Sequence, residues 1–188
     1  MKQLPSLEHH FLIAMPSLNG SWFEKAVIYI LEDNDHGTTG FVVNLPQNFQ
    51  VQDLLSHFDF SPPENVSFLE QAILRGGPVD VEQGFIFHKP EGQWKSSVAL
   101  QDGLTMTFSE DFVEALSKNQ APEKFLICLG FSGWKKGQLA QEIQSNSWLT
   151  IPYNESLLFD TPIEQKWQVA LETLGVSPEF LTLEAGNA

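Results

Sequence analysis

The stretch Ala72–Lys89 (AILRGGPVDVEQGFIFHK) constrains the fold most, because two apolar segments flank a Gly-Gly-Pro turn within it. We predict a strand that ends at Arg75, a turn at Gly76-Gly77-Pro78, a short connector, and a second strand from Gly84 to His88. Strand alternation puts Arg75 on the same face as Ile73, so its side chain can point into a pocket between strands.

The rest of the chain mixes hairpins with single helices. Apolar residues on both faces of Ala26–Asp33 predict a central strand that is covered on both sides, and Lys124–Leu129 predicts another that Gly130–Gly133 breaks. Helical spacing and capping residues predict helices at Val51–Phe58, Glu110–Lys118 (capped by Ser109), Lys135–Ser145 and Thr161–Leu174 (capped by Thr161). This order indicates an α+β fold with a mixed, largely antiparallel sheet, and a length of 188 residues fits one domain.

The charge excludes several classes of partner. The net charge is −14, so the chain repels phosphate backbones and anionic lipids, and we expect neither direct nucleic-acid binding nor a membrane partner. A single cysteine, Cys128, cannot form an intrachain disulfide, which fits a reducing compartment. The sequence shows neither a signal peptide nor a long apolar span. We therefore expect a cytoplasmic protein.

The glycine turn is the first candidate for chemistry. Backbone N–H groups of the glycine turn, helped by the Arg75 guanidinium, can hold an anion. The alternative is a tight turn that needs positive φ, with Arg75 in a structural ion pair. A second glycine-rich segment, Gly130–Trp134 (GFSGW), stands between a predicted strand and a predicted helix, but its spacing fails the G-x-S-x-G pattern of a nucleophilic serine at Ser132.

One face of the helix predicted after Gly133 carries Trp134, Gln138 and Glu142, which form a candidate ligand or partner surface. The alternative is a solvated face with Trp134 packed back onto the sheet. His88 is a candidate acid–base group at the end of the strand opposite Arg75, or else a satisfied strand-end histidine. No histidine or cysteine spacing indicates a metal site, and nothing in the sequence calls for a cofactor.

Several motifs together resemble the AlgH/YqgE family of bacterial proteins. They are HHFLIAMP from His9, GFVVN from Gly40, GGPV from Gly76, GFIFH from Gly84, and GFSGW..GQL..E from Gly130. The resemblance implies a bifurcated mixed sheet, part of which closes like a small barrel, with helices around it. It also implies a single domain over residues 1–188 with an ordered core at about 5–175.

The resemblance implies a set of family signature positions but no catalytic residues. Those that coincide with our candidates are Asn44, Gly76, Gly77, Pro78, His88, Trp134, Gln138 and Glu142. The family's label of transcriptional regulator has no DNA-binding motif behind it.

Three functions remain open on the sequence. We favour a non-enzymatic regulatory or interaction module that binds a protein or small ligand through the glycine turn and the Trp134–Glu142 face. The second is an enzyme that acts on a small anionic substrate, with Arg75 as anion clamp and His88 as acid–base group. The third is a transcriptional regulator that acts directly or indirectly.

Overall fold

The computed structural model describes residues 4–179 and residue 181, and this part contains ten strands and four α-helices. The strands are β1 (His10–Ala14), β2 (Val27–Asn34), β3 (Gly37–Val42), β4 (Pro46–Gln50), β5 (Ala72–Arg75), β6 (Val79–His88), β7 (Ser97–Ala99), β8 (Thr105–Thr107), β9 (Phe125–Trp134) and β10 (Trp148–Pro152). The helices are α1 (Val51–His57), α2 (Asp111–Ser117), α3 (Gln138–Gln144) and α4 (Lys166–Thr173).

The strands form one curled sheet that forks at β9. The main order is β10-β1-β2-β3-β9-β6-β8-β7, and every neighbouring pair along it is antiparallel. One edge of β9 is shared: β3 pairs with its end, and β5 pairs in parallel with its middle and carries β4 outside it. The predicted α+β fold with a mixed, largely antiparallel, bifurcated and partly barrel-like sheet is confirmed.

Strand β9 is longer than predicted. The segment Gly130–Gly133 does not break it, and the strand continues to Trp134. Gly130 adopts a positive φ of 77°, and β6 shifts register between Val79 and Gly84 opposite this point. The glycine therefore allows a local irregularity instead of ending the strand.

Strand β6 also differs from the prediction. It begins at Val79 instead of Gly84, so the predicted connector is part of the strand. Its first five residues are exposed and its last three are buried. The exposed half resembles a connector in sequence because it carries Asp80, Glu82 and Gln83, which a buried strand would exclude.

The core has three parts: one lies inside the curl of the sheet, and two lie on its outer face. Side chains inside the curl, including Phe11, Tyr29 and Phe41, pack with α4. The outer face is covered by α1 and α2 at one end and by α3 at the other. Strand β2 contributes Tyr29 inward and Ile28 outward, which confirms the prediction of a central strand covered on both sides.

Helix α1 begins at Val51 as predicted, whereas α2, α3 and α4 begin later than predicted. The Ser109 hydroxyl donates to Asp111 at 2.5 Å instead of capping, and α2 begins at Asp111. The Thr161 hydroxyl donates to the carbonyl of Ser156, and a 3₁₀ turn precedes α4. Gly175 follows α4 with a φ of 70°, as a helix-ending glycine should.

Two further points concern the described residues. None of their helices combines the length and apolarity that crossing a membrane requires. The sequence also predicts a loosely ordered tail after Pro178, and most of that tail lies outside residues 4–179 and 181.

Candidate functional site

The glycine turn lies at the fork of the sheet. The Gly76 amide donates to the Leu129 carbonyl at 2.8 Å, and the Gly76 carbonyl accepts from the Val42 amide at 2.8 Å and from the Ser132 hydroxyl at 3.1 Å. Pro78 has no N–H, so two of the three backbone positions of the turn have no amide to offer an anion. The turn joins β3 and β9 through backbone hydrogen bonds.

Close approach, and not positive φ, is why this turn needs glycine. Neither Gly76 nor Gly77 has a positive φ. A Cβ on Gly76 would lie 2.2 Å from the Gly130 carbonyl oxygen, and one on Gly77 would lie 2.0 Å from the carbonyl of Phe131. The sequence-based alternative of a tight turn that needs positive φ is therefore wrong about the cause. Glycine is needed because the backbone of β9 occupies the space that a side chain would fill.

Arg75 and His88 do not share a pocket. Arg75 is exposed, and its guanidinium lies 5.2 Å from the ring centre of Trp22. In the register of β9, Arg75 pairs with Leu129 and His88 pairs with Phe125, which are four residues or about 13 Å apart along the strand. This separation removes the convergence that an acid–base enzyme using both residues needs.

His88 is fully buried in a hydrogen-bonded chain. Its Nδ1 lies 2.6 Å from the Lys89 carbonyl, and its Nε2 lies 2.6 Å from the Thr107 hydroxyl, which in turn contacts Ser97 at 2.7 Å. A carbonyl can only accept, so Nδ1 carries the proton and Nε2 accepts from Thr107. Burial lowers the pKa of His88, against the opposing effect of the Lys89 carbonyl.

Trp134 lies on β9 and not on a helix, which corrects the predicted face. Its indole N–H donates to Glu142 Oε2 at 2.7 Å, and the indole of Trp148 donates to the same oxygen at 2.9 Å. Gln138 donates to the other carboxylate oxygen at 3.2 Å and accepts from the Lys135 amide at 3.0 Å. These polar groups attach α3 to the sheet, and the assignment of a ligand to them stays a prediction.

The side chain of Asn44 is likewise used in hydrogen bonds within the protein. Its side-chain oxygen accepts from the Val27 amide at 2.8 Å, and its nitrogen donates to the Lys25 carbonyl at 2.8 Å. Both ends of this buried amide are therefore engaged with the backbone at the start of β2. The hydrogen bonds account for an asparagine at this position without a ligand.

A groove between α1, α2 and the exposed half of β6 is a largely apolar concave surface. It has a volume of about 650 Å³, within the range of about 300–1,000 Å³ that is typical of ligand sites. Side chains of the sheet form its floor, and the two helices form its walls. Its lining residues are Phe49, Leu54, His57, Phe58, Val81, Glu82, Gln83, Gly84, Ile86, Phe108, Ser109, Glu110, Val113, Ile127 and Leu129.

The groove has exposed apolar side chains at its rim and carboxylates beside them. Val81 is 57% exposed and Phe108 is 45% exposed. The charged groups among the groove's described lining residues are Glu82 and Glu110, with no lysine or arginine. Neither the sequence motifs nor the periodicity indicated this site, because its residues come from four separate segments.

A larger cleft of about 850 Å³ lies between the N-terminal segment, the β2–β3 hairpin and α3. One of the two acidic groups among the described residues of this cleft, Asp33, accepts from the Leu7 amide at 2.7 Å and from the Thr38 hydroxyl at 2.7 Å. These contacts fix the N-terminal segment against the hairpin. We therefore assign this cleft a structural role.

A partly buried polar network near the start of β1 also escaped the sequence reasoning. The imidazole of His9 contacts the Tyr29 hydroxyl at 2.8 Å and the Asp102 carboxylate at 2.9 Å, and its ring stacks on Tyr153. The order of carboxylate, imidazole and hydroxyl resembles a catalytic triad. However, Tyr29 is buried and burial raises the pKa of its hydroxyl, so a nucleophilic phenolate is disfavoured.

Lys166 is the other buried ionisable group that was missed. Its ammonium donates to the carbonyls of Val43 at 3.0 Å and Leu158 at 2.8 Å. Burial lowers its pKa to about 8. Two backbone acceptors engage two of its three donors, so Lys166 connects α4 to the end of β3.

Known proteins resemble this chain along nearly its whole length. A UPF0301 protein of Hydrogenovibrio crunogenus is 60% identical over 187 residues and matches all of both chains. A UPF0301 protein of Photobacterium profundum is 41% identical over 186 residues, which are 97% of this chain and 100% of that protein.

Two solved structures have the same architecture. The solution structure of the AlgH protein from Pseudomonas aeruginosa is 38% identical, covers 97% of each chain and superimposes with a TM-score of 0.76. A Corynebacterium diphtheriae protein, 21% identical with a TM-score of 0.69 over 97% of this chain and 93% of its own, shares the fold. The AlgH-like family profile matches residues 11–179. The chain therefore belongs to the AlgH/YqgE family that its own motifs indicate.

Proposed function

We propose that this protein is a non-enzymatic interaction module that binds a basic, apolar segment of a partner protein in the groove between α1, α2 and β6. The observation that carries the proposal is the exposure of Val81 and Phe108 beside an apolar floor. Exposed apolar side chains around a concave floor are typical of a binding surface.

The proposed place of binding differs from the one that the sequence suggested. The polar side-chain atoms of Trp134, Gln138 and Glu142 already have hydrogen-bond partners within the protein. The Gly76 amide is used within the sheet. A ligand at either place would have to displace existing hydrogen bonds, whereas a ligand in the groove would cover exposed apolar surface.

Charge supports a basic partner. Glu82 and Glu110 stand at the groove, and the whole chain carries a net charge of −14. Lysine and arginine side chains beside apolar anchors would complement these carboxylates and speed association at low salt. The same charge disfavours nucleic acid as the occupant.

Site-specific photo-crosslinking tests the proposal. Phe108 is replaced by p-benzoylphenylalanine, the protein is irradiated in native lysate, and the attached peptides are identified by mass spectrometry. We expect one recurrent segment that combines apolar residues with lysine or arginine. The same replacement at Leu174, which is 41% exposed at the end of α4, is the matched control.

A filled groove gives the second control. A Cβ on Gly84 would contact only Leu129 Cδ2, at 3.8 Å, so Gly84→Leu narrows the groove without a backbone clash. We expect Gly84→Leu to abolish the crosslink at position 108 and to leave the thermal midpoint within a few degrees. Identical crosslinked proteins at positions 108 and 174, or a crosslink that Gly84→Leu leaves unchanged, would contradict the proposal.

A further inference from the structure

The exposed half of β6 has an edge that no strand covers. On the side away from β9, β6 pairs with β8 only at Ile86, Phe87 and His88. Within the described residues, no strand pairs with that edge of β6 between Val79 and Phe85. On the other edge, β9 pairs with Val79, Gly84 and Phe85, and residues 80–83 form a bulge in which Asp80 has a φ of 45°. An unpaired strand edge presents backbone N–H and C=O groups that can accept a further strand.

The course of the chain explains why this edge is open. After Thr107 the backbone stays with β7, because the Phe108 amide donates to the Ser96 carbonyl at 3.0 Å. The chain then enters α2 at Asp111 and leaves the sheet. The space that a longer β8 would fill is bordered by Phe108 and Glu110, which line the groove.

We infer that the partner segment binds as an extended β-strand, which adds to the free edge of β6 and continues the line of β8 across the groove. This inference rests on the proposed function and specifies its binding mode. A strand of about five residues would span the roughly 13 Å from Val81 to Phe85. Backbone hydrogen bonds to β6 would supply affinity, and alternate side chains would enter the groove.

The acidic residues of β6 determine which strand can bind there. Asp80 and Glu82 lie in the exposed half of the strand. Opposite charges on facing strands stabilise a pair and like charges destabilise it. Pairing two copies of this edge would bring acidic residues together, so a second copy of the chain is disfavoured and a strand with lysine or arginine is favoured.

Two peptide libraries displayed on phage distinguish a strand from a helix. Both contain nine-residue peptides built from Val, Ile, Leu and Phe as apolar residues and Lys, Arg, Ser and Thr as polar residues. The strand library places apolar residues at alternate positions, and the helix library places them at positions 1, 4, 5 and 8. We expect the wild-type protein to enrich the strand library at least tenfold over the helix library, and Gly84→Leu and Glu82→Lys to abolish the enrichment.

The most enriched peptide is then synthesised with N-methyl groups on alternate residues. Methyl groups on the edge facing β6 should weaken binding at least tenfold, whereas methyl groups on the opposite edge should leave it unchanged. Equal effects on the two edges would overturn the strand mode.

The library outcomes also separate the two proposals. Enrichment of the helix library that Gly84→Leu abolishes would overturn the strand mode and leave the interaction module standing. If the wild-type protein enriches neither library more than the Gly84→Leu variant does, both proposals are contradicted.

Discussion

The indole N–H of Trp134 donates a 2.7 Å hydrogen bond to Glu142 Oε2, which joins the end of β9 to α3. The same oxygen accepts from Trp148 on β10, so one carboxylate connects two strands that β1, β2 and β3 separate in the sheet. The two rings lie edge to face, with centres 6.1 Å apart. This cluster stabilises the end of the sheet on which α3 packs.

We expect Glu142→Ala to lower the free energy of unfolding by about 2–4 kcal/mol, because it leaves two indole N–H groups without an acceptor and hydrogen bonds to charged groups contribute about 1.5–3 kcal/mol each. Glu142→Gln should cost roughly half as much, since its amide oxygen still accepts. Urea denaturation followed by tryptophan fluorescence measures both values. Equal midpoints for the wild type and Glu142→Ala would refute this role.

Alanine substitution should strongly destabilise the protein at Gly77 and hardly change its stability at Gly84, although both glycines lie in the stretch Ala72–Lys89. Gly77→Ala places a Cβ 2.0 Å from the Phe131 carbonyl, so we expect a loss of more than about 4 kcal/mol or no soluble protein. Gly84→Ala meets only Leu129 at 3.8 Å and should change stability by less than about 1 kcal/mol. Thermal unfolding of the two variants tests the pair, and a folded Gly77→Ala protein with a wild-type midpoint would contradict the packing at the fork.

Lys166 should make stability rise with pH in the alkaline range. Burial lowers its pKa from 10.5 to about 8, so the unfolded chain binds more protons than the folded protein between these values. The free energy of unfolding therefore rises with pH across this window, by up to about 3 kcal/mol.

The Lys166→Met variant isolates this effect. Burial raises the pKa of Cys128 to about 12, which acts in the opposite direction above pH 9, but this thiol is common to both proteins. The difference in unfolding free energy between wild type and Lys166→Met should therefore rise from pH 8 to pH 10.5. A difference that does not change with pH would show that the ammonium stays charged in the core.

His88 should lower the stability of the folded protein as the pH falls below neutral. Burial lowers its pKa below 6.5, so the unfolded chain takes up a proton more readily than the folded protein as the pH falls through 6.5. Protonation would also place an N–H against the Thr107 hydroxyl, which now donates to Nε2. We expect the wild type to lose stability relative to His88→Gln between pH 7 and pH 5, as measured by urea titrations at each pH. Parallel curves for the two proteins would count against a neutral, buried His88.

Short-range patterns in the sequence predicted much of the fold. The apolar faces of Ala26–Asp33 predicted a covered central strand, the spacing in Val51–Phe58 predicted α1, and the family motifs indicated the bifurcated sheet. These features depend on residues that are close in the chain, so periodicity and turn chemistry report them.

The sequence-based prediction failed where distant segments decide the outcome. Gly130 reads as a strand break, but pairing with β3 and β6 keeps Gly130–Trp134 in β9. The sequence predicts Trp134 on the same helix face as Glu142, but Trp134 lies at the end of β9 and donates to Glu142 on α3, the helix that follows. The enzyme hypothesis requires Arg75 and His88 in one pocket, but their pairing partners lie four residues apart along β9.

The sequence alone determined the fold class, the family and the acidic surface, because composition and local patterns are properties of the chain itself. Only the tertiary structure decided why the glycine turn needs glycine and where the candidate binding surface lies. Gly77 has no room for a Cβ because β9 passes beside it, and the groove exists because α2 leaves the sheet before β8 covers β6. Both depend on the packing of segments that are dozens of residues apart, which no local pattern records.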